Sequence, residues 1–148
     1  MRTIHAGTLL RTTPDAEPRP GQGVLVSGDR VEAVGPLDEL TGAYPQVRVR
    51  HWAGTLGPAL VHDGPLPAAP TPRERVHALF RLGVAAVPAA RLTDPDLRAA
   101  ALRSHVAVPA TPAPRVLTVG VRADLAVFAP DGTCLATVVA GRLLHRTT

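Results

Sequence analysis

The spacing between two β-type blocks limits this chain more than any other feature. Residues 1–66 and 115–148 consist of short Val-, Leu- and Thr-rich runs broken by Gly and Pro, the pattern of strands and turns. The 49 residues from Pro67 to Arg115 are of another type, with Pro65, Pro67, Pro70 and Pro72 leading into a helical period. A single βαβ unit takes about 30 residues, and a closed (β/α)8 barrel about 250. The middle segment has room for one or two such units and none for a barrel. At 148 residues the chain can bury one good core but not two ordinary ones, so a single domain spanning 1–148 is expected.

Thr3–Leu10 reads as a strand, followed by a Pro- and Gly-rich loop from Thr13 to Gln22 that is expected to be mobile. Two β-branched runs between Gly23 and Pro36 flank Ser27-Gly28-Asp29, which predicts a tight hairpin with Gly28 at positive φ. Pro36–Tyr44 reads as a short helix with Asp38 and Glu39 in its first turn, where the helix dipole favours acids. Val47–Trp52 should be the next strand, with His51 and Trp52 as packing residues. Val76, Leu79, Phe80 and Leu82 fall on a helical period within Arg73–Leu82. Gly83 ends that helix, and Val84–Val87 reads as a short buried strand. Thr93 or Asp94 caps a second helix, Pro95–Arg103, with Pro at its first turn. Val106–Val108 reads as another short strand and Pro109–Pro114 as an extended linker. The run from Val119 to Phe128, the turn Asp131-Gly132, and strands over Leu135–Val139 and Gly141–Leu144 complete the chain.

Within this order one stretch turns from strand to polar to break: Gly57-Pro58-Ala59-Leu60-Val61, then His62-Asp63, then Gly64-Pro65-Leu66. It resembles the first barrel strand of the amidohydrolase superfamily, where a hydrophobic lead-in delivers a His-x-His pair to a metal. Side chains two apart on a strand share a face, so such a pair can grip one cation. Two further motifs carry the same resemblance. The Gly23–Pro36 hairpin is similar to the one with which many members open. Gly120-Val121-Arg122-Ala123-Asp124-Leu125 and Gly141-Arg142-Leu143-Leu144 resemble the strands by which the family's chain re-enters its small domain. The three motifs together resemble the composite β-domain of the imidazolonepropionase and aminodeoxyfutalosine deaminase type. The fold class implied is α+β, mainly β. Residues 1–66 and 115–148 would form a composite β-sandwich, and 67–114 a short helical βα insert in place of the barrel, covering one side.

The positions that align with the family's His-x-His are Gly64 and Leu66, and neither can ligate a metal. The missing segment would have carried the family's remaining histidines, its bridging Lys and its catalytic Asp, and this chain has no lysine. The resemblance implies hydrolysis through a metal-activated hydroxide, so these losses remove the mechanism itself. His62 and Asp63 are the weak candidates for a rebuilt site. Adjacent strand residues face opposite ways, and a metal would need further ligands that His51, His77 and His105 do not offer by spacing. His5 and His145 lie in the sandwich strands. The expected role of His62 and Asp63 is to close the strand end by hydrogen bonding. No catalytic residue, cofactor-binding residue or metal ligand is assigned.

Composition excludes other classes. All 16 basic residues are Arg, and the net charge is +4, but the arginines are dispersed and aromatics make up only 3%, too few to stack bases. Nucleic acid is not expected as a partner. The arginine-only usage fits the coding bias of a GC-rich bacterial genome. The sequence holds no phosphate loop and no dinucleotide fingerprint, and Ser27 and Ser104 lie outside any nucleophile elbow. Cys134 is expected to be a buried small hydrophobe in a reducing cytoplasm, and no apolar run is long enough for a membrane span.

Two readings of different class follow. The first is a truncated, non-catalytic composite-domain protein with a binding or scaffolding role and no cofactor. It would contact a second copy or a protein partner through an apolar face over residues 56–87. The second is a hydrolase of non-peptide carbon–nitrogen bonds, with zinc or iron, completed by a partner chain.

Overall fold

The computed structural model describes residues 1–147; Thr148, the last residue of the expected C-terminal segment, lies outside them. In chain order the elements are β1 (Arg2–Leu10), β2 (Gln22–Ser27), β3 (Arg30–Pro36), α1 (Leu37–Ala43), β4 (Arg48–Pro58) and β5 (Leu60–Val61). They continue with α2 (Pro72–Arg81), β6 (Val84–Ala86), α3 (Pro95–Arg103), β7 (Leu125–Phe128), β8 (Cys134–Val139) and β9 (Arg142–Arg146). The fold is mainly β with a small helical content, and the described residues form no (β/α)8 barrel.

Seven strands make one mixed sheet of order β3-β2-β1-β4-β7-β8-β9. The N-terminal segment supplies β1–β4 and the C-terminal segment β7–β9, so the sheet is composite. Gly28 takes φ +60° at the β2–β3 turn, as the hairpin motif requires. The crossover from β3 to β4 runs through α1, and β4 lies parallel to β1, the pairing that needs a crossover rather than a hairpin. Leu40 of α1 packs on Ile4 and Leu25.

The sheet folds over so that its two halves face each other. Val24, Val26 and Val31 from one half share a buried cluster with Leu125, Val127, Ala136 and Val138 from the other, with Trp52 and Leu56 of β4 between them. The open ends are stitched by backbone bonds from Val31 N to Val121 O at 2.9 Å and from Ala123 N to Asp29 O at 2.7 Å. Gly141, at φ +80°, sits where an added Cβ would collide with the carbonyl of Gly28. Only a residue without a side chain lets the β8–β9 turn approach the β2–β3 turn this closely.

Three expectations change. The strand at Val47–Trp52 does not stop at Trp52 but continues as β4 to Pro58. Gly54 looks like a break in the sequence, yet its missing Cβ makes room for the Phe128 carbonyl, which would otherwise lie 2.6 Å away. The run Val119–Phe128 is a strand only from Leu125. Gly120 takes φ +93°, and Gly120 N donates to Val31 O at 2.8 Å, so this segment ties to β3 instead of extending the ladder. Val106–Val108 forms only an isolated bridge between Ala107 and Ala86. The loop from Thr13 to Gln22 is fastened at one point by paired bonds of 2.8 Å between Leu10 and Arg19.

The insert makes a β5–α2–β6 unit with β5 and β6 parallel, followed by α3. Thr71 caps α2, its Oγ1 accepting from Glu74 N at 3.2 Å, and Asp94 caps α3, with Pro72 and Pro95 at the first turns. Val76, Leu79 and Phe80 of α2 and Leu97, Ala100 and Ala101 of α3 form a second buried cluster, which includes Ala126 and Val139 of the main sheet. The Thr137 hydroxyl donates to the Phe80 carbonyl across this contact. The insert packs on one face of the sheet through this second cluster.

Candidate functional site

The stretch singled out in the sequence lies where β4 passes through Pro58 into β5. Ala59 N donates to Asp124 O at 3.0 Å, Leu60 N to Gly83 O at 2.8 Å and His62 N to Ala86 O at 2.9 Å. The chain therefore leaves the sheet and runs directly along β6. Asp124 anchors this crossing from the other side. Its carboxylate accepts from Arg122 Nε at 2.9 and 3.0 Å and from Ala140 N at 2.8 Å. With Asp124 buried, this pair is a structural joint between β7 and the β8–β9 turn, since removing one member of a buried pair leaves the other charge unpaired.

His62 and Asp63 do not converge. His62 Nε2 donates to the Pro65 carbonyl at 2.9 Å, and Asp63 pairs with Arg91 at 3.1 Å on an exposed surface. Each side chain is engaged by a different part of the insert. Gly64 is half-buried, and Leu66 is buried in the insert core with Val76, Leu79 and Phe80. Leu66, which the resemblance places at a ligand position, is a packing residue. Among the described residues no group of three His, Cys, Asp or Glu side chains could hold a metal ion. The residues present do not fit the metal that the resemblance implies.

The other histidines serve separate places. His5 is buried and accepts from Trp52 Nε1 through Nδ1 at 3.2 Å. Burial, with Arg50 nearby, lowers its pKa from 6.5 to about 4, because a positive ring is costly away from water. His51 and His105 are exposed, His77 packs edge-on to Phe80, and His145 Nε2 donates to the Cys134 carbonyl at 3.3 Å. Burial pushes the Cys134 thiol up, away from the thiolate a reactive cysteine needs.

Within residues 56–87 the exposed large apolar side chains are Leu60 and Leu82; Leu56 is buried in the sandwich cluster, and Leu66, Val76, Leu79, Phe80, Val84 and Val87 in the insert core. Leu60 also lines a cleft of about 360 Å³ with Pro58, Phe128, Pro130, Pro14 and Arg11. Arg11 is its only charged lining residue. Sequence reading missed this cleft because its walls come from the loop after β1, from β4, β5, the end of β7 and the β7–β8 turn, segments far apart in the chain.

These features define a class: a mainly β domain whose sheet is built from both end segments of the chain, with a βα insert between them. Residues 23–46, the β2–β3 hairpin and α1, match the model of the imidazolonepropionase-like composite domain of bacteria. No curated protein matches the chain. E. coli guanine deaminase shares the fold at TM-score 0.53 and 14% identity, over 72% of this chain and 34% of that one. A. niger ochratoxinase does so at TM-score 0.51 and 17% identity, over 73% of this chain and 30% of that one. Helicobacter pylori aminofutalosine deaminase is also similar, at TM-score 0.44 and 18% identity, over 59% of this chain and 27% of that one. The chain spans about a third or less of these structures. The resemblance read from the sequence is thus supported in two ways: residues 23–46 match the composite-domain model, and the fold is shared with parts of the guanine deaminase and ochratoxinase structures.

Proposed function

We propose that the chain is a non-catalytic composite-domain protein with a binding or scaffolding role. The observation that carries this reading is Leu66. A buried Leu, packed with Val76 and Phe80, stands where the resemblance calls for a ligand, and Gly64 stands at the partner position. Hydrolysis of this type needs a metal-activated hydroxide, and His62 and Asp63 are each committed to other partners. Leu60 and Leu82, the exposed apolar residues beside β5 and β6, are the proposed contact points for a second copy or a protein partner.

The competing reading takes its support from the fold shared with a protein named guanine deaminase. It makes the chain one part of a hydrolase acting on carbon–nitrogen bonds, with a partner chain supplying metal ligands. Metal content and solution mass, measured on one sample of purified untagged protein, separate the two. Metal-free protein that remains without deaminase or amidase turnover when zinc or iron is added supports the non-catalytic role. Stoichiometric, chelator-resistant zinc or iron would overturn it and put His62 and Asp63 first for substitution.

A further inference from the structure

The N-terminal half of β4 has an open edge. β4 pairs with β1 from Arg48 onward, but β7 covers its other side only at Thr55–Pro58. From Arg48 to Ala53 the peptide groups on that side pair with no strand among the described residues. An uncovered edge is a template for another strand.

Its side chains say what kind of strand fits. Arg48, Arg50 and Trp52 alternate along β4 and share one face, the face on which Trp52 joins the sandwich core. Arg146, at the end of β9, lies over the Trp52 ring with its guanidinium carbon 5.5 Å from the centroid. Thr147 N donates to Leu135 O at 2.8 Å, which fixes the backbone just beyond Arg146. Three arginines therefore gather at one mouth of the sandwich. None of them belongs to an ion pair among the described residues. Burial lowers the pKa of Arg50, and the neighbouring charges of Arg48 and Arg146 lower it further. Charged side chains on an edge guard it against pairing with its own kind, so a second copy is repelled here. A strand of opposite charge is not.

We propose that the edge of β4 from Arg48 to Ala53, flanked by Arg48, Arg50 and Arg146, is a docking site for an acidic segment of a partner protein bound in extended form. Main-chain bonds to β4 would supply affinity and the arginines selectivity, the usual division in strand addition. This inference does not depend on the surface at residues 56–87.

The test uses the full chain and a capped octapeptide of alternating Glu and Val. Trp52, the only tryptophan, reports binding by fluorescence. Saturable binding is expected, weakened about tenfold or more by Arg48→Gln with Arg50→Gln while the melting temperature stays near that of the parent. Replacing each Val of the peptide with Pro keeps its charge, removes half of its N–H donors and should abolish binding without touching the protein. Several results would overturn the proposal: no binding at millimolar peptide, equal binding of the Pro-containing peptide or of inorganic tripolyphosphate, tighter binding of an oligo-dT strand, or self-association through this edge that the double variant removes.

Discussion

At the scale of single residues, two side chains carry the clearest consequences. His5 is buried against Trp52 and holds its proton only below about pH 4, against 6.5 in the unfolded chain. Between those values the unfolded state binds more protons, so folding stability drops as pH falls through the window and is fully present above it. The shift corresponds to roughly 3 kcal/mol. Urea unfolding followed by Trp52 fluorescence should lose that much between pH 7 and pH 4. His5→Asn, which keeps an acceptor for the indole N–H but does not titrate, should remove most of the slope. An unchanged slope in the variant would mean other groups carry it.

Leu66 bears on ancestry and function together. Putting the resembling ligands back, as Gly64→His with Leu66→His, places an imidazole among Val76, Leu79 and Phe80. A loss of roughly 2–4 kcal/mol is expected from the missing apolar burial and the buried polar ring, with no zinc retained after gel filtration. Zinc binding without loss of stability would show that a latent site survives.

At the scale of elements, glycines decide where strands pack. Gly54 and Gly141 have different roles, one admitting the Phe128 carbonyl beside β4 and the other letting two turns meet. Gly141→Ala forces a side chain onto a left-handed backbone at φ +80°, which costs roughly 1–2 kcal/mol before the collision with Gly28 is counted. A lower melting temperature and faster hydrogen exchange at the Ala123 and Gly141 amides, which donate to Asp29 O and Ala123 O, are expected. An unchanged melting temperature would mean that the turns separate at little cost.

The elements also show how far the sequence could be read. Both insert helices were legible because capping residues, first-turn prolines and apolar periods agree at Thr71, Asp94 and Phe80. The β2–β3 hairpin was legible through Gly28. β4 was cut short in the reading because Gly54 and Gly57 look like breaks until the strand that approaches them is known. Val119–Val121 has strand-forming residues, but its hydrogen bonds go to Val31, a partner almost ninety residues earlier. Local pattern carries no information about such a partner.

At the scale of the molecule, the insert and the sheet share a core through Ala126, Val139 and the Thr137–Phe80 bond. We therefore expect them to unfold together. Phe80→Ala should destabilise by roughly 3–5 kcal/mol, and far-ultraviolet circular dichroism and Trp52 fluorescence should shift to the same lower midpoint. Two separated transitions would show that the insert melts alone and that the chain holds two cooperative units.

The sequence by itself determined a mainly β fold with a helical insert too short for a barrel, because strand period, turn chemistry and helix caps are local quantities. That the two end segments join in one composite domain was implied only by the resemblance of three motifs. The sequence also showed that Gly64 and Leu66 are not ligands, since neither side chain has a donor atom. Only the tertiary structure decided where Leu66 goes, that His62 and Asp63 turn to Pro65 and Arg91, and that Arg48, Arg50 and Arg146 meet beside an uncovered strand. Those facts depend on which distant segments the folded sheet brings together, and burial and charge proximity exist only after that closure.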